Sequence, residues 1–358
     1  MRLLVTVTVF LLAVTVNAQT NYYSKAAATD FNSTASWGVN TDGSGAAPAS
    51  ISNANNFIIQ NNSVMSLSGA AAVRTLVINA GALTVGSNTL TVSLATGNTS
   101  NLTVNTGGSL TVGAGSSIVL NGNMLIANGA NFTQSGGLIT IDGNSNTGVV
   151  GNATSVASAT PLFAIGTGSQ NYNSGTLSFT GGKITIVDPH IGSNTTTNAY
   201  AFYARVAAAS SVNATNHTVE FGDGTSTAAG GTGGFVFDGY VGAGSFNFFN
   251  LTVNSAAGTN RGVIQQTNTQ TINGDLTISK GTFSQNALTT YIGGNILVDG
   301  STSNLIANSL FYFCQTVGTT ISAQTTAQSV SVANSGTINN LSNKPNGKFY
   351  QYNYQQHI

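Results

Sequence analysis

Between Ala82 and Gly143 apolar and polar residues alternate in bursts of three to five, and each burst ends in a Gly, Asn or Ser turn. In Leu83-Thr84-Val85, Leu90-Thr91-Val92, Leu102-Thr103-Val104 and Leu110-Thr111-Val112 the period is two, which sends Leu and Val to one side of a strand and Thr to the other. Strand starts near positions 76, 83, 90, 102, 110, 118, 124, 132 and 138 leave no room for a helix between them, so the chain turns after every strand. Two architectures meet that spacing: an antiparallel meander of hairpins, or a solenoid with two or three strands per coil. Tight hairpins ask for Asn-Gly or Asp-Gly at a fixed place. The connectors Asn79-Ala80-Gly81, Asn105-Thr106-Gly107-Gly108 and Asn128-Gly129-Ala130-Asn131 vary in length instead. The pattern therefore predicts an all-β fold, a right-handed parallel β-helix, with Asn and Gly at its corners because both tolerate positive φ. Asn amides stacked coil on coil are expected to hydrogen-bond along the axis. One coil buries too few side chains to fold alone, so at least three must stack.

The same rhythm extends over residues 71–340. It loosens from Asn144 to about Gly244, where Thr176–Phe179, Lys183–Val187, Thr218–Phe221 and Gly234–Phe237 remain strand-like between longer excursions, and it tightens again from Phe246. Insertions in a solenoid map to loops on one face, so any specific binding is expected in 144–244. Residues 341–358 read as a tail: either the chain is the N-terminal part of a longer product, which is the expectation, or its last residues are frayed.

Composition narrows the function. Hydrophobic residues make up 41% of the 358, enough for a large core, while charged residues are only 5%, against about 25% in ordinary soluble proteins. The surface must then be Ser, Thr, Asn, Gln and Gly. With nine basic and nine acidic residues, neither a nucleic-acid groove nor an anionic-membrane patch has the charge it requires. The single cysteine, Cys314, sits in the apolar run Leu310–Cys314 and reads as a buried small hydrophobe.

Met1–Ala18 holds one basic residue, Arg2, an apolar run from Leu3 to Val16, and small residues before Gln19. That is the order of a secretory signal peptide, and the run is short for a membrane span. Residues 19–70 differ in texture: Trp37, the only tryptophan, lies with Tyr22, Tyr23 and Phe31 near the turn Asp42-Gly43-Ser44-Gly45. A solenoid leaves its first coil open, so this segment is expected to be an aromatic N-terminal cap. The competing reading of Trp37 is a sugar-stacking platform.

Tyr22-Tyr23-Ser24-Lys25, Asp30-Phe31, Ser36-Trp37-Gly38, Asp42-Gly43-Ser44-Gly45 and Pro48 resemble the opening of β-strand-repeat surface proteins exported by Bacteroidetes bacteria. Gly182–His190, His217–Gly224, Phe249–Asn254 and Gly274–Ile278 resemble the same adhesin-like group. The resemblance implies a secreted β-helix on the extracellular face of the outer membrane. Members often end in a C-terminal sorting domain for a dedicated secretion route; this chain stops at Gln355-Gln356-His357-Ile358 without one.

Polysaccharide lyases and hydrolases also use parallel β-helices, and their chemistry requires clustered carboxylates. The eight Asp and one Glu are scattered from Asp30 to Asp299. The best cluster is Asp188 and His190 with Glu220 and Asp223, which a coil of roughly 20–25 residues would bring to one face. The competing reading is turn-forming Asp-Pro and Asp-Gly. Asp142-Gly143-Asn144-Ser145-Asn146-Thr147-Gly148 begins like a calcium loop, but its Gly falls one place late and no carboxylate closes it. His190, His217, His357 and Cys314 have no zinc spacing. No catalytic site, metal or cofactor is expected. Outward Thr84, Thr91, Thr103 and Thr111 raise ice binding, against which stand one threonine per strand and unequal coils. The sequence thus predicts a secreted structural or adhesive β-helix that meets glycans, cells or surfaces. A polysaccharide-active enzyme or its binding subunit is the alternative, and ice binding a minor one.

Overall fold

The computed structural model describes residues 19–93, 100–143, 162–166, 172–187, 199–225, 235–239, 244–255, 263–265 and 268–299, together with the later strands named below. Met1–Ala18, Cys314 and most of 341–358 lie outside the described residues. The expectations for a signal peptide, a buried thiol and a tail fall on them. Within the described residues the fold is all-β, relieved by two single-turn 3-10 helices at Thr34–Ser36 and Ala208–Ser210. No helix among them is long and apolar enough to cross a membrane.

The strands form three ladders that the chain visits in fixed order. The first ladder holds Asn21–Ser24, Asn56–Ile59, Thr75–Ile78, Ser100–Val104, Gly122–Ile126, Phe163–Ile165, Ala199–Ala204, Phe235–Asp238, Val263–Gln265, the end of Leu276–Ser284, Ser303–Ile306 and Thr337–Asn339. The second holds Val64–Ser66, Ala82–Thr84, Ser109–Val112 and the opening halves of Asn131–Ile141 and Leu177–Ile186. It continues through Val212–Asn213, Phe246–Asn247, Gln270–Ile272, Thr290–Ile292, Phe311–Phe313 and Phe349–Gln351. The third holds Ala71–Val73, Thr89–Val92, Ser117–Leu120, the closing halves of those two long strands, Thr218–Phe221, Asn250–Asn254, the start of Leu276–Ser284, Ile296–Asp299 and Val330–Ala333. All these pairings are parallel. Antiparallel pairing among the described residues is confined to Asn21–Ser24 with Trp37–Gly38 and to Gln315–Val317 with Thr320–Ser322. A hairpin meander is thereby excluded.

Parallel strands so close in sequence require sharp corners. Three of them occur without interrupting the strand: at Gly136-Gly137 and Gly181-Gly182, which stack on one another, and at Lys280-Gly281 within Leu276–Ser284. Gly137 has φ 69°, and a Cβ there would lie 2.6 Å from the carbonyl oxygens of Gly113 and Ser116, so only glycine suits the bend. Asn occupies another corner as the sequence predicts, with Asn105 Nδ2 donating to Asn79 Oδ1 at 2.9 Å, and Asn also stacks at strand ends, with Asn247 Nδ2 donating to Asn213 Oδ1 at 2.7 Å.

Inside the ladders the alternation holds. Leu83, Val85, Leu90, Val92, Leu102, Val104, Leu110 and Val112 are buried, while Thr84, Thr91, Thr103 and Thr111 face out. From Phe132 onward the core turns aromatic. Phe132, Phe163, Phe179, Phe202, Phe246 and Phe248 pack ring on ring with centroids 4.9–6.4 Å apart, a packing that favours edge-on and offset contacts.

At the N-terminal end the ladders begin earlier than residue 71. Asn56–Ile59 and Val64–Ser66, within the segment expected to be a cap, are already rungs. Trp37–Gly38 covers the edge of the first ladder, and Thr29–Phe31 covers the second, through Phe31 N to Ser66 O and Ser66 N to Thr29 O. Near the third, Asn32 accepts from Ser68 N and donates to Ala70 O.

Candidate functional site

Of the acids and bases expected to cluster, Asp188 and His190 lie outside the described residues. Glu220 stands on the outer side of the third ladder and is fully engaged. It accepts from Lys183 Nζ at 2.6 Å, from Thr185 Oγ1 at 3.4 Å and from Asn254 Nδ2 at 3.0 Å, bracing three successive rungs. Asp223 closes a local turn, its Oδ1 accepting from Thr225 N and Oγ1 at 2.9 and 2.8 Å. Both described carboxylates thus do the work of braces and turns. Of the calcium-like loop, only Asp142 and Gly143 are described, and the rest lies outside. Among the described residues no three His, Cys, Asp or Glu side chains group as a metal site.

The aromatic candidates are packing groups. Trp37 and Phe31 are fully buried, in edge contact at 5.1 Å, and the indole Nε1 donates to Phe31 O at 3.0 Å. Tyr22 stacks on Phe57, itself 4.9 Å from Trp37. No face of Trp37 is open to a sugar. Sequence reasoning missed a polar group in the middle of the first ladder: the Arg205 guanidinium lies over the rings of Tyr203 and Tyr172 at 5.4 and 5.9 Å, and its Nε donates to the Tyr203 hydroxyl. Burial pushes the Tyr203 phenol above its ordinary value. Asp238, paired in register with Tyr203, accepts from Gln270 Nε2 at 3.0 Å and Asn268 Nδ2 at 3.3 Å. The sequence signal was the break in alternation across Tyr203-Ala204-Arg205, where every residue is buried.

The four outward threonines do not share one face. Thr103 belongs to the first ladder, Thr84 and Thr111 to the second, and Thr91 to the third. The second ladder instead aligns a longer row that includes residues the sequence had not singled out: Ser66, Thr84, Thr111, Thr133 and Ser178 stand in direct register. Ser66 and Thr84 are exposed, and Thr111, Thr133 and Ser178 half-buried. Among the described residues the hydroxyls of Thr84, Thr111, Thr133 and Ser178 bond to no other protein group. Beside them runs a second outward row, Val64, Ala82, Ser109 and Asn131, also uncharged. Neighbouring rungs are about 4.8 Å apart, so the free hydroxyls repeat at that interval. The row stays in register although the sequence distance between its members more than doubles from Ser66–Thr84 to Thr133–Ser178. Unequal spacing along the chain therefore does not break the register of this row.

The three ladders thus present different exteriors. The first sets Ile58, Val77 and Leu125 in one row with Thr103, beside a polar row through Asn56, Thr75, Asn101 and Asn123; the second is hydroxylic, and the third carries the Lys183–Glu220 pair. Comparison of the chain with protein-family models, with curated proteins and with solved structures finds no match.

Proposed function

We propose that the chain is a secreted, cell-surface parallel β-helix, right-handed, that acts by attachment rather than by catalysis. The circular visiting of three parallel ladders supports the solenoid, and the leader-like Met1–Ala18 supports export. The observation that carries attachment is the in-register row of unpartnered hydroxyls from Thr84 to Ser178 on an uncharged strip. Such a strip offers many weak, identical contacts to a neutral, repetitive partner, and repetition turns weak contacts into firm adhesion. Neutral extracellular glycans and uncharged surfaces are partners of this kind. Engagement of Glu220 and Asp223 in braces and turns weighs against the polysaccharide-active alternative.

The test is adsorption of the purified chain to insoluble neutral polysaccharide and to abiotic beads, with Thr84→Lys, Thr111→Lys and Thr133→Lys combined. Retention is expected to fall at least tenfold while the circular dichroism spectrum is unchanged. Retention unaffected by the three lysines overturns the assignment of the face. Release of reducing or unsaturated sugars that disappears in Asp188→Asn with Glu220→Gln would instead establish an enzyme.

Ice is a second reading of the same strip, favoured by the register of the row, which sets a hydroxyl and a methyl on each of the three successive rungs Thr84, Thr111 and Thr133. Observation of ice crystals grown in the presence of the chain decides it: faceting lost in the triple-lysine variant supports ice, and round, unshaped crystals remove it.

A further inference from the structure

At the corner where the second ladder passes to the third, directly before Thr218–Phe221, His217 is 1% exposed. Its Nε2 lies 3.0 Å from Gln134 Oε1, and the Gln134 amide is oriented by Nε2 donating to Lys183 O at 3.2 Å. The glutamine oxygen therefore faces the ring, and the imidazole proton sits on Nε2. Nδ1 is buried with no hydrogen-bond partner. The ring meets Phe179 edge-on at 5.1 Å, and Phe179 in turn meets Phe246 at 4.9 Å. Backbone bonds tie the corner to its neighbours: Thr215 N to Phe179 O, Ala214 N to Asn247 O and Asn250 N to His217 O.

We propose that His217 is an acid-sensitive latch on the middle of the stack, which lets this corner open when the ring takes up a second proton. In the neutral ring Nδ1 is a bare acceptor among phenylalanines and costs little. A second proton leaves the Gln134 bond intact, but it places a charged N–H at Nδ1 where nothing accepts it. The ionisable side chains on the strands packed around the ring are Lys183 and Glu220, and they pair with each other at 2.6 Å. They leave no charge to compensate an imidazolium. Burial alone holds the imidazole down to about 4. Relief comes only by turning the ring out to water, which parts His217 from Phe179 and with it the bonds at Ala214, Thr215 and Asn250. This latch is independent of what the outer strip binds.

The test combines proton titration of the three histidines by NMR with hydrogen exchange of the intact chain at pH 7 and at mildly acid pH, corrected for intrinsic rates. One resonance, identified by its absence from His217→Gln, is expected to titrate well below the ordinary imidazole range. Exchange at Ala214, Thr215 and Asn250 is expected to rise by about tenfold for each pH unit below that range, while Ser117 and Asn121, in earlier rungs, change little. In His217→Gln the acid dependence at the corner is expected to vanish. If that variant does not fold, the wild-type comparison between corner and distant amides stands alone. A His217 resonance titrating in the ordinary range, or exchange rising equally at Ser117 and Asn121, overturns the proposal.

Discussion

At the residue scale the fold depends on positions where one atom too many is refused. Gly137→Ala is expected to cost about 2 kcal/mol or more, from the left-handed backbone and from the backbone oxygens its Cβ would strike; the urea midpoint measures it. His217 supplies a pH dependence whose sign is fixed. The unfolded imidazole takes its proton near 6.5 and the folded one near 4, so between those values the unfolded chain holds more protons. Stability is then complete above about pH 6.5, falls as pH drops, and levels off below about 4, a loss of about 3 kcal/mol. Thermal unfolding of wild type and His217→Gln across that window checks it. Neither position could be assigned its role from sequence. A Gly-Gly pair is ordinary in a chain with 43 glycines, and the partner that fixes the His217 tautomer, Gln134, is far away along the chain.

At the element scale each strand is a short rung whose inward pair does the holding. Truncating Leu110 to Ala removes a fully buried side chain between Leu83 and Phe132, and a loss of about 2–5 kcal/mol is expected from chemical denaturation. The Lys183–Glu220 brace is worth far less. The Lys183 side chain is 44% exposed, so Glu220→Gln is expected to change stability by under about 1 kcal/mol. The strands themselves were legible, because Leu-Thr-Val states its period in three residues and Leu83, Leu90, Leu102 and Leu110 fall where the alternation places them. Membership of a ladder was not. Thr84 and Thr91 look equivalent in sequence, yet they lie on different faces, since the chain turns a corner at Gly86–Asn88 between them. The row through Thr133 and Ser178 appears only when register is known. The aromatic core from Phe132 to Phe248 was hidden for a related reason: apart from Phe246 and Phe248, its phenylalanines sit in separate strands divided by long connections, and no local period joins those strands.

At the scale of the whole molecule, the vulnerable feature is the end of the stack. Trp37, Phe31 and Phe57 pack together beside the first rungs, and Trp37→Ala is expected to cost about 3–5 kcal/mol and to expose the edge of Asn21–Ser24 that Trp37–Gly38 covers. Association detected by light scattering should accompany that loss, because an uncovered strand edge pairs with other chains. The corners lead elsewhere. Ile126 and Ile165 remain partners across the long connection after Ile141, just as Val104 and Ile126 do across a much shorter one. Residues added or deleted between rungs leave the rungs where they were, so the molecule can lengthen its connections piecemeal and acquire new appendages there, each a separate experiment that spares the frame carrying it.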